Sequence, residues 1–167
     1  MPKHLTLGKS DEWRTPKSVF DALKLAFDLD PCWPISGPCF VPAQRHYTIH
    51  DNGLMQPWHG LVWLNPPFGG RRGHVPWLKK FFAHGSGVAL VNALTSADWF
   101  HGVVAPNAQV LCFPNGKTKF VKPDGSVGAE PANGIVLLGV GDAANDALLR
   151  SELGFCVRIV RSSNAQP

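Results

Sequence analysis

Short, unbroken apolar runs punctuated by glycine and proline constrain this chain most. Residues 61–65 (LVWLN), 87–92 (GVALVN) and 134–140 (GIVLLGV) have the length of strands and are apolar at nearly every position. A strand that faces water on one side alternates apolar and polar residues; one that is apolar throughout is covered on both faces. Residues 108–113 and 155–160 read as further strands, and Phe27-Asp28-Leu29-Asp30 as a short one stopped by Pro31. Amphipathic segments separate them. Thr15-Pro16 opens a helix, with Thr as N-cap, Pro at the first position, and Val19, Phe20, Leu23 and Phe27 at helical spacing. Residues 77–83 form a second helix, Ser96 caps one running through Val104, and Asp142 caps one that reaches Leu153 before Gly154. The alternation predicts an α/β fold: a mainly parallel sheet with helices on both faces. In such sheets ligands sit at the carboxyl ends of the strands, where this chain places Asp30 and Asn65.

The 167 residues fit one domain spanning 1–167, with 1–10 and 162–167 expected to be flexible. No apolar run approaches the ~20 residues of a membrane helix, and the start has no signal-peptide core, so a cytoplasmic location is expected. Sixteen Lys and Arg against twelve Asp and Glu give a mildly basic chain, which suits a polyanionic partner without requiring one. Cys112 and Cys156 lie in apolar runs and read as buried small side chains. Cys32, Cys39, His46 and His50 form C-x6-C-x6-H-x3-H. Six residues containing Pro34, Gly37 and Pro38 do not present two sulfurs from one tight turn, so these four are read as loop residues without a metal.

Asn65-Pro66-Pro67-Phe68 follows directly on the 61–65 run. Two prolines fix the backbone and remove two N–H donors, leaving carbonyl acceptors in set directions. An amide and an aromatic ring flank them. The set suits a planar molecule bearing an amino group: Asn65 Oδ1 and the Pro66 carbonyl each accept one N–H, and Phe68 stacks on the ring. An aromatic amino nitrogen is a poor nucleophile because its lone pair is delocalised. Two acceptors on its hydrogens favour a pyramidal nitrogen able to attack a methyl group in line, so orientation and electrostatics supply the catalysis.

The (D/N/S)-P-P-(Y/F/W) motif marks amino-methyltransferases that use S-adenosyl-L-methionine. Its surroundings make the chain resemble the small Dam-like DNA N6-adenine methyltransferases of phages and prophages. The matching residues are Asp11-Glu12-Trp13-Arg14-Thr15-Pro16, Phe27-Asp28-Leu29-Asp30-Pro31, Asp51-Asn52-Gly53-Leu54 with Trp58, and Val62-Trp63-Leu64-Asn65-Pro66-Pro67-Phe68-Gly69. Looser matches at 88–100 and 116–120 extend the resemblance over roughly residues 10 to 140. It implies a class I S-adenosylmethionine-dependent methyltransferase fold, Rossmann-like and reduced in size, acting on adenine N6 in DNA. Thr15 and Pro16 correspond to the segment lying against the cofactor, and Asp30-Pro31 takes the place of the usual cofactor motif. Asp51 matches the acidic residue that contacts the cofactor's adenine amino group; the alternative for Asp51 is a turn former in Asp-Asn-Gly. The glycine-rich F-x-G-x-G loop is absent, the interval from Asp30 to Asp51 is short, and there is no large target-recognition insertion.

A duplex hides adenine N6 in the stack, so the target must be flipped out or single-stranded. Arg71 and Arg72, among glycines after the motif, are expected to hold phosphates, with Lys79 and Lys80 extending that group. Lys117, Lys119 and Lys122 form a second basic group in the 114–131 loop; the alternative for all of these is solvated surface charge. No obligatory protein partner is evident. Competing functions are methylation of another planar nitrogen, in RNA or glutamine, and a silent DNA-binding module.

Overall fold

The computed structural model describes residues 13–67 and 73–161. One seven-stranded sheet organises them, in the order β2-β1-β3-β4-β6-β5-β7. The strands are β1 (Phe27–Asp30), β2 (Ala43–His46), β3 (Val62–Leu64), β4 (Gly87–Asn92), β5 (Val110–Pro114), β6 (Ile135–Val140) and β7 (Gly154–Arg158). The helices are α1 (Lys17–Leu23), α2 (Val75–His84), a π-helical turn (Phe100–Val104) running into the short α3 (Ala105–Asn107), and α4 (Asp142–Arg150).

The buried strands work as their composition demands. Along β4, Ala89 and Val91 enter one core while Val88 and Leu90 enter the other. On β3, Val62 and Leu64 face the first core and Trp63 the second. Helix α2 and the π-turn cover the first through Trp77, Leu78, Phe81 and Phe100; α1 and α4 cover the second through Val19, Phe20, Leu23 and Leu148. Each fully buried side chain of this size contributes roughly 1.5–3 kcal/mol. Trp63 anchors the second core, 4.7 Å from Phe20 and 5.5 Å from Phe27 between ring centroids.

The sheet is less parallel than the sequence implies. β2, β1, β3 and β4 pair in parallel, but β6 is antiparallel to β4 and β5, and β7 is antiparallel to β5. Apolar runs report burial and carry no direction, and the 114–131 segment returns the chain between β5 and β6 without a crossover helix. β2 lies in a stretch expected to be loop. Its sequence, Ala-Gln-Arg-His, is polar because it is an edge strand with three exposed residues. Phe27 begins β1 rather than continuing α1. Pro16, not Thr15, is the N-cap of α1, and no side chain caps it. Asp142 is the first residue of α4 rather than its cap. Cys112 is fully buried as expected, but it faces Cys156 across β5 and β7 with Cα atoms 4.1 Å apart, and the two are joined as a disulfide. Among the described residues, no helix is long and apolar enough to cross a membrane. The terminal segments 1–10 and 162–167 lie outside the described residues.

Candidate active site

The parallel half of the sheet builds the site. Asp28 on β1 accepts the Leu61 N–H at 2.6 Å, fixing the entry of β3, and Leu29 registers with Val62. The two strands therefore end side by side, bringing Asp30 and Asn65 to one rim. Both line a cavity of about 640 Å³, together with Pro31, Pro67, Thr15 and Trp77. The volume lies within the ~300–1,000 Å³ of small-molecule sites.

Asp30 is 3% exposed and accepts the Cys32 N–H at 2.8 Å. Burial pushes its carboxyl up to about 7, partly offset by that hydrogen bond. A buried acid of this kind is poised to ionise beside a cation. Asn65 turns its Nδ2 toward the Trp13 carbonyl and Thr15 Oγ1, each 3.5 Å away, and keeps Oδ1 as its acceptor. Pro66 is buried and does not line the cavity; Pro67 does. Pro16 also lies off the cavity wall.

The N-terminal strap 13–15 is held from two sides. Arg14, 5% exposed, exchanges backbone hydrogen bonds of 2.9 Å with Val121 of the 114–131 loop, and its guanidinium donates to the Ser36 carbonyl. Gly128 packs on the Trp13 ring so closely that a Cβ there would lie 2.1 Å from it. The 114–131 loop is thus bonded to the cavity wall, and Lys117, Lys119 and Lys122 project from it exposed.

Asp51 differs from the resemblance-based expectation. Its carboxylate is exposed and accepts the Thr48 N–H and hydroxyl at 2.7 and 2.8 Å, which hold its pKa below the usual range. The turn-forming alternative describes this placement. The cavity is lined instead by the neighbours Asn52, Gly53 and Leu54. Gly53 approaches the Pro31 carbonyl so closely that a Cβ would stand 2.3 Å from its oxygen.

Lys80 also departs from its expected place with the phosphate-binding cations: it turns inward to the 51–58 loop, whereas Lys79 is exposed. Cys32, Cys39 and His50 line the cavity, and His46 stacks on Trp33 at 4.5 Å. Phe68, Arg71 and Arg72 lie outside the described residues. Sequence reasoning assigned no role to Trp13, Arg14, Cys32 or Trp77; Trp13-Arg14 carried a signal through its position beside Thr15, while the others read as core or loop.

Neither a curated protein nor a solved structure matches the chain. A family model does, described as DNA N-6-adenine-methyltransferase (Dam), over residues 3–138. That span takes in the strap, both strand ends and the Asn-Pro-Pro segment that meet at this cavity, and the chain belongs to the Dam family of DNA adenine methyltransferases.

Proposed function

We propose that this cavity binds S-adenosylmethionine and an adenine extruded from DNA, and that the chain transfers the methyl group to adenine N6. The observation that carries the reading is the convergence of Asn65 and buried Asp30 on one cavity at adjacent parallel strand ends. The residues present fit such a cofactor. Asp30 has one backbone donor and a carboxyl raised to about 7, a place for a cationic amino group, and Trp33, Phe40 and Leu54 offer apolar walls for a purine and ribose. When bound, S-adenosylmethionine supplies an electrophilic methyl group on a sulfonium.

Asn65 Oδ1 accepts one hydrogen of the adenine amino group, and a main-chain carbonyl of the Asn65-Pro66-Pro67 segment at the cavity wall accepts the other. This localises the nitrogen lone pair toward the methyl carbon. Phe68 stacks on the base, which together with Asn65 fixes the line of attack. A bound S-adenosylmethionine would supply the methyl carbon to this nitrogen and would keep the C–S electron pair on its sulfur. The amino nitrogen then releases a proton to solvent, so no strong base is required. Arg71, Arg72, Lys117 and Lys119 hold flanking phosphates. The family match favours DNA adenine over an RNA base or glutamine as the acceptor.

The test is transfer of labelled methyl from S-adenosylmethionine to DNA by the purified protein, with calorimetric cofactor binding in parallel. Cofactor binding with label in DNA supports the reading; failure to bind the cofactor contradicts it.

A further inference from the structure

We infer that Lys80 is a positioning residue that fastens the cofactor wall to helix α2. The 51–58 loop contributes Asn52, Gly53 and Leu54 to the cavity and contains no strand or helix of its own. Such a segment holds its shape only if its carbonyls find donors. The Lys80 ammonium lies 2.6 Å from the Leu54 carbonyl oxygen, 2.5 Å from that of Gln56 and 3.5 Å from that of Gly53. It also sits 5.0 Å from the centroid of the Trp58 ring, whose Nε1 donates to Gly53 at 2.8 Å. One cation thus gathers three carbonyls and an aromatic face. Gln56 Nε2 closes the loop on the Asp51 carbonyl at 2.7 Å.

Lys80 stands one turn along α2 from Trp77, which lines the same cavity. Helix α2 follows the Asn-Pro-Pro segment in the chain, so Lys80 ties the element after the catalytic motif to the wall that packs on Pro31. This makes it an internal brace, where charge patterning alone would place a phosphate contact. The cofactor role rests on the proposed S-adenosylmethionine site; the brace itself does not.

The experiment compares the full-length chain with Lys80→Met and Lys80→Arg. Amide exchange of the cofactor-free proteins should rise in Lys80→Met at residues 52–58 and stay unchanged in β3 and β4. S-adenosylmethionine affinity should fall about tenfold, as for loss of a charged hydrogen-bond donor, and Lys80→Arg should recover most of it. The salt slope of DNA binding should not change. Exchange that rises equally in β3 and β4, or nowhere, overturns the brace. A slope reduced by about one makes Lys80 a phosphate contact and also overturns it. If the parent binds no S-adenosylmethionine, the functional reading fails while the exchange data still decide whether Lys80 holds the loop.

Discussion

Replacing Asp30 with Asn should stabilise the protein at high pH while weakening the cofactor site. In the folded chain burial raises the carboxyl to about 7, against 3.8 for an ordinary aspartate. Between those values the folded state holds a proton that the unfolded state has released. Stability therefore falls as pH rises through this window and levels off above the folded value. At about 1.4 kcal/mol per pH unit, the full gap between about 7 and 3.8 corresponds to about 4 kcal/mol. By about pH 5 roughly 1–2 kcal/mol of that is already lost, so the variant's advantage should grow by about 2–3 kcal/mol between about pH 5 and pH 8.5. Asn keeps an oxygen for the Cys32 N–H and carries no charge to desolvate. Urea unfolding of both proteins at the two pH values gives the comparison, and taking the difference cancels the other titrating groups. S-adenosylmethionine binding should show the reverse. Parent affinity should rise with pH toward about 7 as the carboxylate forms to meet the cationic amino group, and the variant should bind weakly at every pH. A stability difference that does not change with pH would refute the argument that Asp30 is buried without adequate compensation.

Gly53→Ala places a methyl 2.3 Å from the Pro31 carbonyl oxygen, so the loop must shift. Strain of about 1–3 kcal/mol should appear as weaker S-adenosylmethionine binding in calorimetry, and unchanged affinity would show that the loop yields freely. Alanine at both Arg71 and Arg72 should weaken DNA binding and lower its salt slope by about two while sparing cofactor affinity; an unaltered slope would mark them as solvated surface charge.

Continuous apolar sequence identified β3, β4 and β6 because each sends alternate side chains into two cores, a demand composition alone records. It missed β2, of which only Ala43 packs against a core, and it overstated parallel pairing, because strand direction depends on how the 114–131 loop returns. The site was legible where backbone position decides chemistry: Asp30 and Asn65 stand at the ends of adjacent strands, where the pattern puts them. It was not legible where a side chain chooses between neighbours. Asp51 turns to Thr48 and leaves the wall to Asn52 and Gly53. Lys80 turns to carbonyls 24 to 27 residues back along the chain, a contact that exists only once α2 packs beside the loop. The pairing of Cys112 with Cys156 likewise needs the register of β5 with β7, which no local pattern specifies.

The most direct test of the central claim is nucleoside mass spectrometry of DNA incubated with S-adenosylmethionine and either the parent chain or Asn65→Ala. Asn65 is partly buried at the cavity wall, so the variant should fold and retain most of its DNA affinity. The parent should produce N6-methyladenine, and the folded Asn65→Ala protein should produce none above background. Methylation by Asn65→Ala at the parent rate, or a parent product on any other nitrogen, would contradict the account.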